Sequence, residues 1–327
     1  MTKPQPSSQT APAHVAFLLL DRFTLLAFSS AIEPLRLANR ISGRTLYTWQ
    51  LVSERGGSVT CSNGTEITVT AKLDDLPGDS LIVVCGGVDV QRATSSGVLS
   101  WLRKRARYGN RISGICTASW ALAKAGLLDG KRATIHWENF NAMAEDFPEV
   151  DLSRSVFVVD GARVTAAGGI ASLDMTLSLI ASAHGSDLAN SVADQLVYSS
   201  IRTNRDTQRL SIPARIGVRH PKLARVIEIM ESHIEDPISP SDLAEAVDMS
   251  TRQLERLFRR YLNRSPKRYY MELRLERARN LLMQTDMSVI NVALAAGFTS
   301  PSHFSKCYRA HYDTTPYRER GAHGESD

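Results

Sequence analysis

Ser241-Asp242-Leu243-Ala244-Glu245-Ala246-Val247-Asp248-Met249-Ser250, followed by Thr251-Arg252-Gln253-Leu254-Glu255-Arg256-Leu257-Phe258, has a near-copy about fifty residues on. The copy reads Val289-Ile290-Asn291-Val292-Ala293-Leu294-Ala295-Ala296-Gly297-Phe298-Thr299, then Ser300-Pro301-Ser302-His303-Phe304-Ser305-Lys306-Cys307-Tyr308. Superposition sets Leu243 on Val292, Ala244 on Ala293, Asp248 on Gly297 and Met249 on Phe298, and after one extra residue Leu254 and Phe258 on Phe304 and Tyr308. Each copy has the spacing of a helix-turn-helix. A small alanine lets a second helix cross closely, a turn former follows four residues on, and Ser250 or Ser300 caps the next helix. Glycine takes positive φ without steric cost, so the second turn suits this geometry better than the first, where Asp248 stands. A pair of α-hairpins in an ordinary bundle would account for one copy; two in register point to a DNA-reading device whose second helix can sit in a major groove.

Charge agrees. Between Ser250 and Arg279 there are ten basic residues against three acidic ones, a local excess of seven, whereas the whole chain carries +5. Such a concentration is the expected footprint of phosphate contacts. A solvated helix face is the other reading, and Glu272 and Glu276 do lie at pairing distance in sequence from arginines such as Arg268, but two carboxylates cannot neutralise the run.

The last hundred or so residues resemble the DNA-binding domain of AraC-type transcription regulators. The likeness rests on Leu254-Glu255-Arg256-Leu257-Phe258, Leu273 through Leu282, Val292-Ala293 to Gly297-Phe298, Ser302-His303-Phe304-Ser305-Lys306 and Thr315-Pro316. It implies that Arg252, Gln253 and Arg256 face bases in one groove and Ser302, His303 and Lys306 in the next. Asp248 and Asp313 depart from the family pattern at turn positions.

At 327 residues the chain is long enough for two domains, and 43% hydrophobic residues suffice for two cores. Residues 1–14, rich in Pro, Gln, Ser and Thr, read as a disordered leader without the pattern of a secretory signal. No run approaches the roughly 18 apolar residues of a membrane span, so no membrane partner is expected and the protein reads as cytoplasmic. Cys61, Cys85, Cys116 and Cys307 have neither metal-ligand nor disulfide-framework spacing, and no metal or cofactor is expected.

Upstream of the repeat, short apolar runs (Val15–Leu20, Trp49–Ser53, Leu81–Cys85, Arg111–Ile115, Ala133–His136) alternate with helical stretches (Ser29–Arg40, Gly97–Tyr108, Thr117–Ala125, Ser172–Ala183). That alternation predicts an α/β doubly wound, mostly parallel sheet, ahead of an all-α double helix-turn-helix domain. The expected division is a sensor at 15–198, an exposed Arg-bearing linker at 199–213, the DNA-binding domain at 214–320 and a tail at 321–327. Ligands in such sheets bind beyond the carboxyl ends of strands, which selects Gly86-Gly87 and Cys116.

Ile112-Ser113-Gly114-Ile115-Cys116-Thr117-Ala118-Ser119 reads as a strand, a sharp turn and a small-residue helix, a nucleophile elbow whose helix dipole favours thiolate. With Ala125-Gly126-Leu127-Leu128-Asp129-Gly130 and Ala133-Thr134-Ile135-His136-Trp137 it is similar to the PfpI-like branch of the class I glutamine amidotransferase superfamily, over roughly Val15 to His184. Some members are cysteine hydrolases or hydratases, so an enzyme using Cys116 is the alternative to a sensor. Hydrolytic members keep a histidine where Thr117 stands; others use an acid where Ala27 stands; and Ala118 replaces a usual glycine. With only His136 as a possible base, no catalytic set is assembled.

A PfpI-like domain joined to an AraC-type reader resembles the GlxA-type regulators. The stretch Ala27 to Arg40 looks most like those governing use of glycine betaine, carnitine and arginine. The resemblance implies an activator of a catabolic operon, a homodimer working with RNA polymerase on a double-stranded operator, and a small cationic or zwitterionic inducer such as glycine betaine, carnitine, choline or arginine. An ammonium group suits an aromatic face with a carboxylate. The expected pocket is Phe28, Glu33, Gly86, Gly87, Cys116, Thr117, Trp120, His136 and Trp137, each aromatic having core packing as its other role.

Overall fold

In a computed structural model, which describes residues 11–208, 212–218 and 220–322, the chain divides into two compact units between Gln208 and Arg209. The first is built on a seven-stranded sheet. Its strands are β1 (Ala13–Leu19), β2 (Tyr47–Ser53), β3 (Ala71–Lys72), β4 (Leu81–Cys85), β5 (Ile112–Ile115), β6 (Phe157–Asp160) and β7 (Arg163–Ala166), in the order β6-β7-β5-β4-β1-β2-β3. All neighbours are parallel except the β6–β7 hairpin.

The period-two rule sorts β1 between the two faces. Val15, Phe17 and Leu19 enter a core shared with helices α1 (Leu25–Ser42), α5 (Ala171–His184) and α6 (Ser186–Gln195). Ala16, Leu18 and Leu20 enter another, shared with α2 (Ser96–Arg107), α3 (Ala118–Lys124) and α4 (Phe140–Asp146). With both faces covered, the central strands are apolar throughout rather than alternating.

Three expectations change. Ala133–His136 is not a sheet strand: only Arg132–Ala133 is extended, paired with Asp151–Leu152 outside the main sheet. The β6–β7 hairpin occupies the sheet edge instead. The stretch from Ser199, expected as an exposed linker, is held to the first unit up to Gln208. Arg202 binds the fully buried Asp174 through its backbone N (2.8 Å), Nε (2.9 Å) and an ion pair (2.7 Å), while Gln208 Nε2 donates to Thr134 Oγ1 and the Ile135 carbonyl. A buried carboxylate needs such partners, and an apolar-pattern reading has no sight of them. Finally, residues 11–14 of the expected leader already run into β1; its first ten residues, 209–211 of the linker and 323–327 of the tail lie outside the described residues.

The second unit is helical: α7 (Pro221–Ser232), α8 (Pro240–Glu245), α9 (Thr251–Leu262), α10 (Pro266–Gln284), α11 (Val289–Ala295), α12 (Pro301–Tyr312) and α13 (Pro316–Ala322), besides a short turn of helix at Ile212–Ile216. Serines cap five of them: Ser239, Ser250, Ser265, Ser288 and Ser300 each accept a backbone N–H three residues on, at 3.1–3.3 Å. Two cores lie along α10. Tyr270 enters the first with Leu243, Leu254 and Phe258, whereas Leu275, Ala278, Leu281 and Leu282 enter the second with Val292, Phe304 and Tyr308. The repeated positions of the sequence are thus the repeated core positions.

Candidate functional site

Both helix-turn-helix turns are left-handed, φ being 51° at Asp248 and 75° at Gly297. The Met249 N–H donates to the Ala244 carbonyl and the Phe298 N–H to that of Ala293 (3.0 and 2.8 Å), so the copies close alike. Leu254 and Phe258 in α9, and Phe304 and Tyr308 in α12, face inward, leaving Arg252, Gln253, Arg256, Ser302, His303 and Lys306 exposed on the outer faces. Two carry a local tie. Gln253 Oε1 accepts from the Ser250 N–H (2.8 Å), completing a capping box, so its amide nitrogen is the end left for a base edge. His303 Nε2 lies 3.4 Å from Cys307 Sγ.

The basic run splits in two. Glu272 takes Arg264 and Arg268, both at 3.1 Å, and Glu319 takes Arg279. Arg274 donates to the carbonyls of Ala296 and Gly297 and stacks 4.2 Å over the Phe298 ring; Arg277 donates to that of Ala295. These two arginines satisfy the orphan carbonyls at the end of α11 and so build the second motif rather than extend the phosphate stripe. Arg252, Arg256, Arg259 and Arg260 stand exposed on α9.

In the first unit, Cys116 leaves β5 with φ 61°, an uncommon conformation for a residue with a side chain, and is 6% exposed. Close backbone approach fixes the elbow. A Cβ on Gly168 would come within 2.7 Å of Cys116 Cβ; on Gly86, within 2.5 Å of the Ala118 nitrogen; on Gly87, within 2.1 Å of the Arg22 carbonyl oxygen. Thr117 Oγ1 donates to the Gly87 carbonyl at 2.7 Å. Gly86, Gly87 and Thr117 therefore hold the elbow's shape. The thiol is not activated: burial pushes its pKa up, only partly opposed by the Thr24 hydroxyl 3.5 Å away and the Thr117 N–H, and Glu138 raises it further. Desolvation outweighs the expected dipole effect.

His136 follows its backbone bond to the Cys116 carbonyl (3.3 Å), with Nδ1 3.6 Å from Glu138 Oε2; burial lowers its pKa against the pull of that carboxylate. Trp137 is tilted against it, ring centroids 5.7 Å apart. Cys116, Thr117, His136, Trp137 and Glu138 thus meet beside the elbow. The sequence does not mark Thr24 or Glu138 as site residues; Glu138 directly follows His136-Trp137, whereas Thr24, at the start of α1, reaches the thiol only through the fold.

Three expected pocket residues are elsewhere. Phe28 packs edge-on against Phe17 and Phe23, at 5.5 and 5.7 Å, in the core. Glu33 sits in the middle of α1, which begins at Leu25 rather than Ser29, and pairs with Arg36. Trp120 turns to the other face of the sheet, against Phe147, with Nε1 3.3 Å from Asp146 Oδ2.

The DJ-1/PfpI family profile matches residues 13–182, and a helix-turn-helix domain profile residues 243–322. The chain is 46% identical to the HTH-type transcriptional regulator GbdR of Pseudomonas aeruginosa over 315 residues, 96% of this chain and 86% of that one. An AraC family transcriptional regulator from Pseudomonas putida, 27% identical, superposes with a TM-score of 0.52 over 57% of this chain and all of its own. An isonitrile hydratase of Pseudomonas putida is 33% identical over 142 residues, 43% of this chain and 61% of the hydratase.

Proposed function

The chain belongs to the family of DNA-binding transcription regulators that join a DJ-1/PfpI domain to an AraC-type helix-turn-helix domain, and from that premise we propose that it activates a catabolic operon when a small cationic or zwitterionic metabolite occupies the elbow cleft. The observation that carries this reading is the pairing of Trp137 with Glu138 beside Cys116. An aromatic face with a carboxylate is what an ammonium group requires. Glu138 takes the role expected of Glu33, whose charge Arg36 already occupies. Base contacts come from Arg252, Gln253 and Arg256 on α9 and from Ser302, His303 and Lys306 on α12. Homodimerisation on the operator, recruitment of RNA polymerase and a cytoplasmic location complete the proposal; among the described residues no helix is long and apolar enough to cross a membrane.

The elbow serves binding rather than turnover in this reading. Its thiol is buried with a raised pKa, and Ala27, at the place of the acid, is fully buried. A thiol that stays protonated is a poor nucleophile. Titration calorimetry with glycine betaine, carnitine, choline and arginine on wild type and Glu138→Gln tests the cleft. One of the four should bind, and the variant should weaken it about two- to fivefold, as for a half-exposed carboxylate whose ion pair is worth up to about 1 kcal/mol. Equal affinity in both proteins sinks the cleft assignment, and consumption of the bound compound by wild type, abolished in Cys116→Ser, establishes the enzyme instead.

A further inference from the structure

At the opposite, amino ends of the strands lies a cavity of about 580 Å³, within the roughly 300–1,000 Å³ of small-molecule sites. Phe17 and Val83 form its floor on the sheet; Leu35 of α1, with Met175 and Leu179 of α5, forms its roof. Of the hydroxyl groups lining this space, that of Thr176 is spent on the Ser172 and Ala31 carbonyls and Ser182 is exposed, whereas those of Tyr47 (6% exposed) and Ser113 (8% exposed) have no hydrogen-bond partner among the described residues. Neither oxygen is fully sealed off, so each keeps a hydrogen-bonding capacity that a molecule in the cavity can meet. Burial pushes the Tyr47 pKa up to about 12, so at neutral pH it is a donor. The two groups stand on β2 and β5, three strand positions apart in the sheet, about 14 Å between backbones. Arg111, next to β5, and His14 lie on the rim, together with Asp79.

We propose that this cavity is a second small-molecule site that takes an aliphatic carboxylate bearing a hydrogen-bonding group at its far end. The carboxylate lies at the Arg111 and Ser113 end, the chain runs along the Met175 and Leu179 wall, and the distal group meets the Tyr47 hydroxyl. The site is separate from the elbow cleft and does not depend on the reading given to that cleft. Its occupant would press on α5, where Asp174, the residue before Met175, holds Arg202 and with it the chain leading to the second unit.

Thermal shift of the full chain with 8-hydroxyoctanoate, octanoate and octylamine tests the proposal, since binding only the folded state raises its melting temperature. The expected order of stabilisation is 8-hydroxyoctanoate, then octanoate, with none from octylamine. Tyr47→Phe should weaken 8-hydroxyoctanoate about two- to tenfold, the effect of one lost hydrogen bond, while leaving octanoate unchanged. Leu179→Trp, which fills the roof, should abolish both, and Glu138→Gln should alter neither. Melting of each variant without probe establishes that it folds. Equal stabilisation by octylamine, no stabilisation by either acid, or undiminished binding to a folded Leu179→Trp protein overturns the site.

Discussion

A methyl group on Gly297 would stand 2.3 Å from the Ile234 carbonyl oxygen and 2.8 Å from Pro237 Cγ, at a φ of 75°. Asp248, its counterpart, holds φ 51° with its own carbonyl accepting from Lys222 Nζ at 3.0 Å. The two turns therefore share a conformation but not a constraint: one glycine is demanded by backbone contact, whereas the aspartate only bears the cost of a left-handed residue. Gly297→Ala should destabilise the helical unit by about 2 kcal/mol or more, since clash adds to dihedral strain, while Asp248→Gly should move it by less than about 1 kcal/mol. Urea unfolding followed by helical circular dichroism decides it, and equal losses would contradict the asymmetry. His136 makes a separate claim. Its pKa is lowered in the folded protein by burial, so the folded state resists the proton that the unfolded chain accepts near pH 6.5. Its contribution is fully present above that pH and is lost as pH falls toward the lowered value. His136→Gln should flatten this acid limb in melting temperatures taken from pH 7.5 to 5; an unchanged slope would place the acid sensitivity elsewhere.

Among elements, what the sequence makes legible follows from how far each signal reaches. The helix-turn-helix pair was readable because core positions, turn and cap all fall within about twenty residues, and Val292, Ala293, Phe304 and Tyr308 duly form one core. The buried strands were readable as apolar runs. Ala133–His136 was not, because an apolar run does not say whether a sheet edge awaits it, and the β6–β7 hairpin holds that edge. Chemistry alone selects Phe28 and Trp120 for the cleft, but the helices decide where they point: α1 begins four residues earlier than expected and carries Phe28 into the core, and Trp120 leaves α3 toward the other face of the sheet. Charge is the subtlest case, since a count cannot separate arginines that meet phosphate from those that cap a helix. Arg256→Ala and Lys306→Ala should each cost about 1–3 kcal/mol of operator binding for a lost base contact. Arg274→Gln should instead lower the melting temperature while leaving the salt slope of binding unchanged, because its guanidinium is committed to the Ala296 and Gly297 carbonyls. Fluorescence anisotropy over a salt series reads both quantities; a shallower slope for Arg274→Gln would return that residue to the interface.

At the scale of the whole molecule the two units have separate cores, and one route for a signal between them is the chain that joins them. The covalent route begins at a defined point. Arg202, with side chain and backbone on the buried Asp174, and Gln208, on Thr134 and Ile135, hold the last residues before the break at Arg209. A ligand shifts an equilibrium only by binding one state better than another, and a segment fixed by a few polar contacts offers two states, held and released, at modest energetic distance. Removing one partner of a buried pair is costly, about 3–5 kcal/mol, because the remaining charge stays desolvated; Asp174→Asn with Arg202→Gln removes both charges and so loosens the segment at lower cost than Arg202→Ala alone. The double variant should keep operator affinity within about twofold of wild type, since the helical unit is untouched, yet lose most of the difference in transcription between inducer-free and inducer-saturated conditions. Anisotropy on the operator together with a reporter titration separates these outcomes. A normal inducer response in the double variant would mean that the latch only stabilises the first unit, and that the signal takes a route other than this segment.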